Sequence, residues 1–137
     1  VPLVYVDASA LVKLIRDEPE SDALRTYLDG ADLIACELVL AEVPRAIRRA
    51  AADDPTLPTD LLLARAAEVL EAIGFVPIDR ALVLAAGAID EPGLRALDAI
   101  HVAAAVTVSP IDAFVTYDER QAAAARLAGL RTIAPGT

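Results

Sequence analysis

Cysteine and histidine each occur once in this chain of 137 residues, as Cys36 and His101. One cysteine makes no internal disulfide and no thiolate zinc cluster. It reads as a small apolar core residue in a reducing compartment. One histidine excludes a His-rich metal site, so any metal held here is bound through oxygen. Oxygen ligands select Mg²⁺ or Mn²⁺ over zinc or copper. Lysine is equally scarce: Lys13 is the only one among twelve Lys and Arg residues. A phosphoacceptor receiver domain needs a late lysine, so the sequence speaks against that class. No glycine follows the first apolar run, where Asp7-Ala8-Ser9-Ala10 stands. The Gly-rich turn of a dinucleotide site is therefore missing. Long apolar runs are missing too. Val102 to Val106 falls far short of the roughly 20 residues of a spanning helix. No basic-then-apolar leader opens the sequence. The expectation is a cytoplasmic protein with no membrane partner.

The net charge is −9. That argues against a nucleic-acid binder working through a broad basic surface. It leaves room for a nucleic-acid enzyme whose local acidity is offset by metal. The length suits one domain over residues 1–137. Hydrophobic residues make up 56% of the chain, many of them alanines in helix-like stretches. Short apolar runs alternate with amphipathic stretches, the pattern of an α/β fold with a parallel sheet. Strands are predicted at Leu3–Val6, Leu33–Ala35, Phe75–Ile78, Ala113–Thr116 and Arg131–Ile133. Helices are predicted at Ala8–Arg16, from Pro19 to Leu28, and over Glu37–Ala52 with a kink or late start caused by Pro44. Thr59 is expected to cap a helix to Ile73 that Gly74 ends. Asp79 caps the next, to Ile89, and Leu97–Val108 and Glu119–Ala128 follow. Five strands with helices on both faces result.

Four acids stand beside apolar runs at separate places: Asp7, Glu42, Asp98 and Asp118. Two of them end strand candidates, where ligands of open parallel sheets bind. Singly, Asp7, Asp98 and Asp118 are equally well read as helix N-caps. Glu42 lies mid-helix among apolar residues, either at a solvated edge or pointing at a site. An isolated buried carboxylate is costly. Two carboxylates about 4 Å apart repel by roughly 4 kcal/mol at an effective dielectric near 20. A divalent ion between them removes that cost and assists phosphodiester hydrolysis.

The local contexts carry a resemblance. Val4-Tyr5-Val6-Asp7-Ala8-Ser9-Ala10-Leu11-Val12-Lys13-Leu14 resembles the opening motif of PIN-domain ribonucleases of the VapC toxin type. Glu37-Leu38-Val39-Leu40-Ala41-Glu42-Val43 is similar to their second motif, and Leu97-Asp98-Ala99-Ile100-His101-Val102-Ala103-Ala104-Ala105 to their third. Phe114-Val115-Thr116-Tyr117-Asp118-Glu119-Arg120 is similar to the fourth. The motifs occur in family order over nearly the whole chain. The resemblance implies a three-layer α/β/α sandwich with a parallel sheet of order 3-2-1-4-5. It also implies an endoribonuclease dependent on Mg²⁺, with Mn²⁺ as substitute, and a cognate VapB-type antitoxin that blocks the site. Carried over by position, Asp7, Glu42, Asp98 and Asp118 are the catalytic acids. Asp7 and Asp98 bind metal directly; Glu42 and Asp118 do so directly or through water. Ser9 and Thr116 orient a carboxylate or touch phosphate. Attack by water in line at phosphorus leaves 5′-phosphate and 3′-hydroxyl ends. A homodimer is the family expectation.

Lys13, Arg16, Arg45, Arg48 and Arg49 are candidate RNA contacts, read equally well as solvated helix faces. His101 reads as a structural histidine bonded within the core. Glu119 adds a carboxylate beside Asp118, but Asp118 keeps the family spacing from Thr116. Two alternatives are an inactive PIN fold that only binds, and a haloacid-dehalogenase-like phosphatase. The latter wants a second Asp where Ser9 stands.

Overall fold

Alternation along the first strand, β1 (Leu3–Val6), divides the molecule into two halves. Val4 and Val6 enter one apolar cluster and Tyr5 the other, as a period of two residues requires. The computed structural model describes residues 1–137. After β1 come α1 (Ala8–Ile15), α2 (Ser21–Leu28), β2 (Asp32–Cys36), α3 (Val39–Asp53), α4 (Thr59–Glu71) and β3 (Gly74–Val76). Then follow α5 (Arg80–Gly87), α6 (Ala96–Thr107), β4 (Ala113–Val115), α7 (Glu119–Leu127) and β5 (Thr132–Ile133). The strands form one parallel sheet in the order β3-β2-β1-β4-β5. Helices α1 to α4 cover one face, packed through Leu11, Ile15, Leu24, Val43, Ile47 and Leu62. Helices α5 to α7 cover the other, through Leu82, Val102, Ala104 and Ala125. No helix is long and apolar enough to cross a membrane.

The topology and the five strands are as the sequence suggested, and several boundaries differ. Pro19 lies in a turn ahead of α2, outside its first turn. The Ser21 hydroxyl accepts from Glu18 N–H and donates to the Arg16 carbonyl, closing that turn before the helix starts. Helix α3 begins late, at Val39, and Pro44 sits inside it. Glu37 is occupied elsewhere: its N–H donates to the Val76 carbonyl and its carboxylate accepts from Ile78 N–H. Thr59 opens α4 but does not cap it; its hydroxyl turns back to the Leu57 carbonyl, and Pro58 takes the cap position. Gly74 does not end a helix. It starts β3, drawn into the sheet by pairing with Ile34.

Candidate active site

Beyond the carboxyl ends of β1 and β4 the chain forms an open cleft of about 920 Å³. Asp7, Glu42, Asp98 and Asp118 all line it. Glu119, the competing acid, does not.

Asp7 follows β1 directly and is 3% exposed. It caps α1, accepting from Ala10 N–H at 3.0 Å. The same oxygen, Oδ1, accepts from Ser9 Oγ at 2.6 Å, and Oδ2 accepts from Thr116 Oγ1 at 2.5 Å. Each hydroxyl is itself tied to the neighbouring strand end. Ser9 Oγ accepts from Tyr117 N–H at 3.0 Å, and Thr116 Oγ1 accepts from Asp118 N–H at 3.1 Å. Asp118 caps α7 through Oδ1, which accepts from both Arg120 and Gln121 N–H. For Asp7 and Asp118, then, the capping role and the cleft position coincide. The cap fixes the carboxylate, and the strand end aims it.

Asp98 is different. It is the third residue of α6, whose start at Arg95 has no side-chain cap. Its half-buried carboxylate therefore stands in the cleft without a capping duty. Glu42 projects from the first turn of α3 and meets His101 of α6, with Nε2 to Oε1 at 2.6 Å. His101 was expected to be bonded within the core. It is buried and bonded to Tyr5, at 2.7 Å through Nδ1, but its other partner is a cleft carboxylate. His101 and Asp98 are three residues apart on one helix, a spacing that puts both on one face. That spacing was the available signal.

Burial raises the carboxyl pKa of Asp7, against the pull of its Ser9, Thr116 and Ala10 hydrogen bonds. Asp98 is raised as well, first by burial and then by the charge of Asp118, with Glu42 and Asp7 adding repulsion. Acids from four distant segments thus feel one another. They share a cleft and not a finished cage: no three Asp, Glu, His or Cys side chains form a ready-made metal-coordinating group.

The cations sort into two groups. Arg45 and Arg49 of α3 line the cleft, whereas Arg16 and Arg48 do not. Lys13 lines it too, but its ammonium is bonded to Glu20 at 2.9 Å, close to Glu18 and over the Tyr117 ring. Three polar lining residues escaped the sequence reading: Glu18, Arg95 and Gln121. Arg95 precedes Asp98 by one helical turn, the signal that could have found it. Gln121 of α7 is 2% exposed, and its Nε2 has no hydrogen-bond partner. Nothing in its local sequence marks it.

The PIN domain family model matches residues 4–127. Ribonuclease VapC35 of Mycobacterium tuberculosis is 40% identical over 141 residues, covering 98% of each chain. Ribonuclease VapC47 of the same species is 35% identical over 140 residues, again covering 98% of each. Among solved structures, VapBC2 from Rickettsia felis, bound to a DNA fragment from its promoter, superposes with a TM-score of 0.71. It is 13% identical, covering 97% of this chain and 98% of that one, a likeness of fold. PAE2754 from Pyrobaculum aerophilum gives a TM-score of 0.67 at 21% identity, covering 96% of this chain and 83% of the other. With the family model spanning most of its length and VapC ribonucleases matching it end to end, the chain belongs to the PIN-domain family.

Proposed function

We propose that this chain is the toxin of a toxin–antitoxin pair, an endoribonuclease that hydrolyses RNA phosphodiester bonds with the help of Mg²⁺ or Mn²⁺. The observation that carries the reading is the single cleft lined by Asp7, Glu42, Asp98 and Asp118. The names of its relatives, ribonucleases all, support the same reaction class.

The donor set fits a hard dication. All four candidate ligands offer carboxylate oxygen. The only imidazole is occupied on both sides, and the only thiol is buried in the core. Burial first, and then the like charge of Asp118, raise the pKa of Asp98, and a cation in the cleft offsets both. Mg²⁺ keeps several of its own waters, so a partly assembled ligand set suffices. Asp7 and Asp98 are the first candidates for direct ligands. Glu42 and Asp118 complete the set directly or through water. A bound dication supplies charge neutralisation at phosphorus and a water of lowered pKa.

The side chains supply the rest. Ser9 and Thr116 donate to the two Asp7 oxygens and hold the carboxyl group in one orientation. Arg45, Arg49 and Arg95 offer a cationic rim to phosphates, and Gln121 offers an unused amide donor. Such a rim fits an acidic protein that grips its substrate only locally. A VapB-type antitoxin is the proposed partner, supported by the likeness to VapBC2. A homodimer is proposed as well, supported by the exposed apolar side chains of Leu84 and Leu127. A cytoplasmic location is proposed as well, because cellular RNA is the proposed substrate.

The test is cleavage of cellular RNA by the purified chain. The wild type should cut with Mg²⁺ or Mn²⁺ and stop with chelator, and Asp7→Asn should not cut. Equal cleavage by both proteins would remove the cleft from the reaction.

A further inference from the structure

Glu42 has a long side chain with several free torsions, projects from the first turn of α3, and its carboxylate makes one hydrogen bond only, to His101. Fixing such a side chain costs conformational entropy, so something must hold it if it is to serve at a fixed place. Behind His101 runs a buried chain of partners. Tyr5 is fully buried, stacked on Phe114 with centroids 5.0 Å apart, and its ring meets His101 edge-on. Its hydroxyl accepts from Cys36 N–H at 3.0 Å, at the end of β2.

With the imidazole neutral, the proton count along this chain has one solution with every bond made. A tyrosine hydroxyl carries one proton. With Cys36 N–H donating to it, that proton goes to His101 Nδ1. Nδ1 is then the acceptor, so Nε2 carries the ring proton and donates to Glu42 Oε1. Both ring nitrogens are used and the imidazole cannot turn. Glu42 Oε2 is left without a protein hydrogen bond.

We propose that Tyr5 and His101 are positioning residues. They relay the rigidity of the sheet core to the Glu42 carboxylate and present its free oxygen to the cation and substrate. This rests on the nuclease reading above. It assigns no proton transfer to His101.

The lone histidine makes the test clean. In ¹⁵N-labelled metal-free protein near neutral pH, the single imidazole should show a protonated Nε2 and a bare Nδ1. Finding the opposite tautomer overturns the relay, whatever the metal chemistry. Calorimetry with Mn²⁺ and RNA cleavage then read its effect. His101→Leu should weaken Mn²⁺ binding about tenfold, the scale of lost outer-sphere support, and lower kcat more than it changes KM. His101→Gln, which keeps a donor and an acceptor at similar spacing, should recover most of both. In a Glu42→Ala background, His101→Leu should weaken Mn²⁺ binding no further. An equal loss in both backgrounds makes His101 a merely structural residue and overturns the proposal. So does a folded His101→Leu protein with wild-type Mn²⁺ affinity and kcat. If His101→Leu does not fold, Tyr5→Phe keeps the stacked ring and removes only the hydroxyl. It should move the tautomer signal and weaken Mn²⁺ binding in the same direction, and an unchanged result overturns the proposal. A wild type that binds no Mn²⁺ defeats the nuclease reading itself, and the positioning role with it.

Discussion

The two walls of the cleft are built on different principles. One wall is the end of β1 and β4, where Asp7 and Asp118 are short side chains fixed by helix caps and two bridging hydroxyls. The other is α3 and α6, where Glu42 hangs on one contact from a different helix and Asp98 caps nothing. The first wall is local: each carboxylate is set by backbone within three residues of it, then clamped across two adjacent strands. The second wall exists only because α6 packs against β2 and brings His101 within reach of Glu42 from the opposite side of the sheet, far away in sequence. Local order of this kind is cheap to encode and rigid. Long-range order needs the whole core behind it.

Breaking the local wall should cost most. Asp7→Asn should lower RNA cleavage by about 100-fold or more, of the size seen when a main electrostatic group is lost, measured as kcat/KM in saturating Mg²⁺. Residual activity within a fewfold of wild type would place the reaction elsewhere. The same substitution should leave the fold stronger. Burial holds the Asp7 carboxyl above its ordinary range, so the native state binds the proton more tightly than the unfolded chain. Ionised Asp7 therefore opposes folding. That cost is absent below the unfolded pKa of about 3.9 and accrues as pH rises through the higher native value. Asp7→Asn cannot ionise and keeps an acceptor for Ser9 and Ala10. In chelator near neutral pH it should melt above wild type, with the gap closing on acidification toward about pH 4. A gap that widens on acidification would reverse the assignment.

Thr116→Val tests the clamp between the strands. It keeps shape but strips Asp7 of one donor and leaves Asp118 N–H without its acceptor. It should cost about 1–3 kcal/mol in urea unfolding and also lower kcat. A loss of stability with kcat intact would make the clamp structural only.

The difference between the walls also explains what the sequence could and could not tell. Asp7 and Asp118 were legible because each ends an apolar strand run and starts a helix, two local signals on one residue. The sheet order followed from the family motifs, and the alternation of short strands with helices was visible in the apolar pattern. Glu42 could be read two ways, since nothing near it in sequence names His101 as its partner. His101 itself looked like an ordinary core residue because the Tyr5 contact, which is real, is only half of its bonding. The boundary errors have the same origin. Pro19, Thr59 and Gly74 carry the right local chemistry for the expected roles. Ser21, the Leu57 carbonyl and the pairing with Ile34 claimed them for others.

The smallest effects belong to the rim. Arg45→Gln, Arg49→Gln and Arg95→Gln should each raise KM for RNA by a fewfold and flatten its salt dependence by about one unit of log–log slope, as lost phosphate contacts do. Arg48→Gln, outside the cleft, should change neither. Lys13→Gln should mainly loosen the Glu20 contact and leave KM nearly unchanged, because that ammonium is already engaged.

The most direct test is diffraction at the manganese absorption edge from crystals of the chain grown with Mn²⁺. The account predicts an anomalous peak in the cleft, within bonding distance of Asp7 and Asp98 oxygens. A protein that cleaves RNA in Mn²⁺ while showing its peak elsewhere, with the cleft bare, would contradict it.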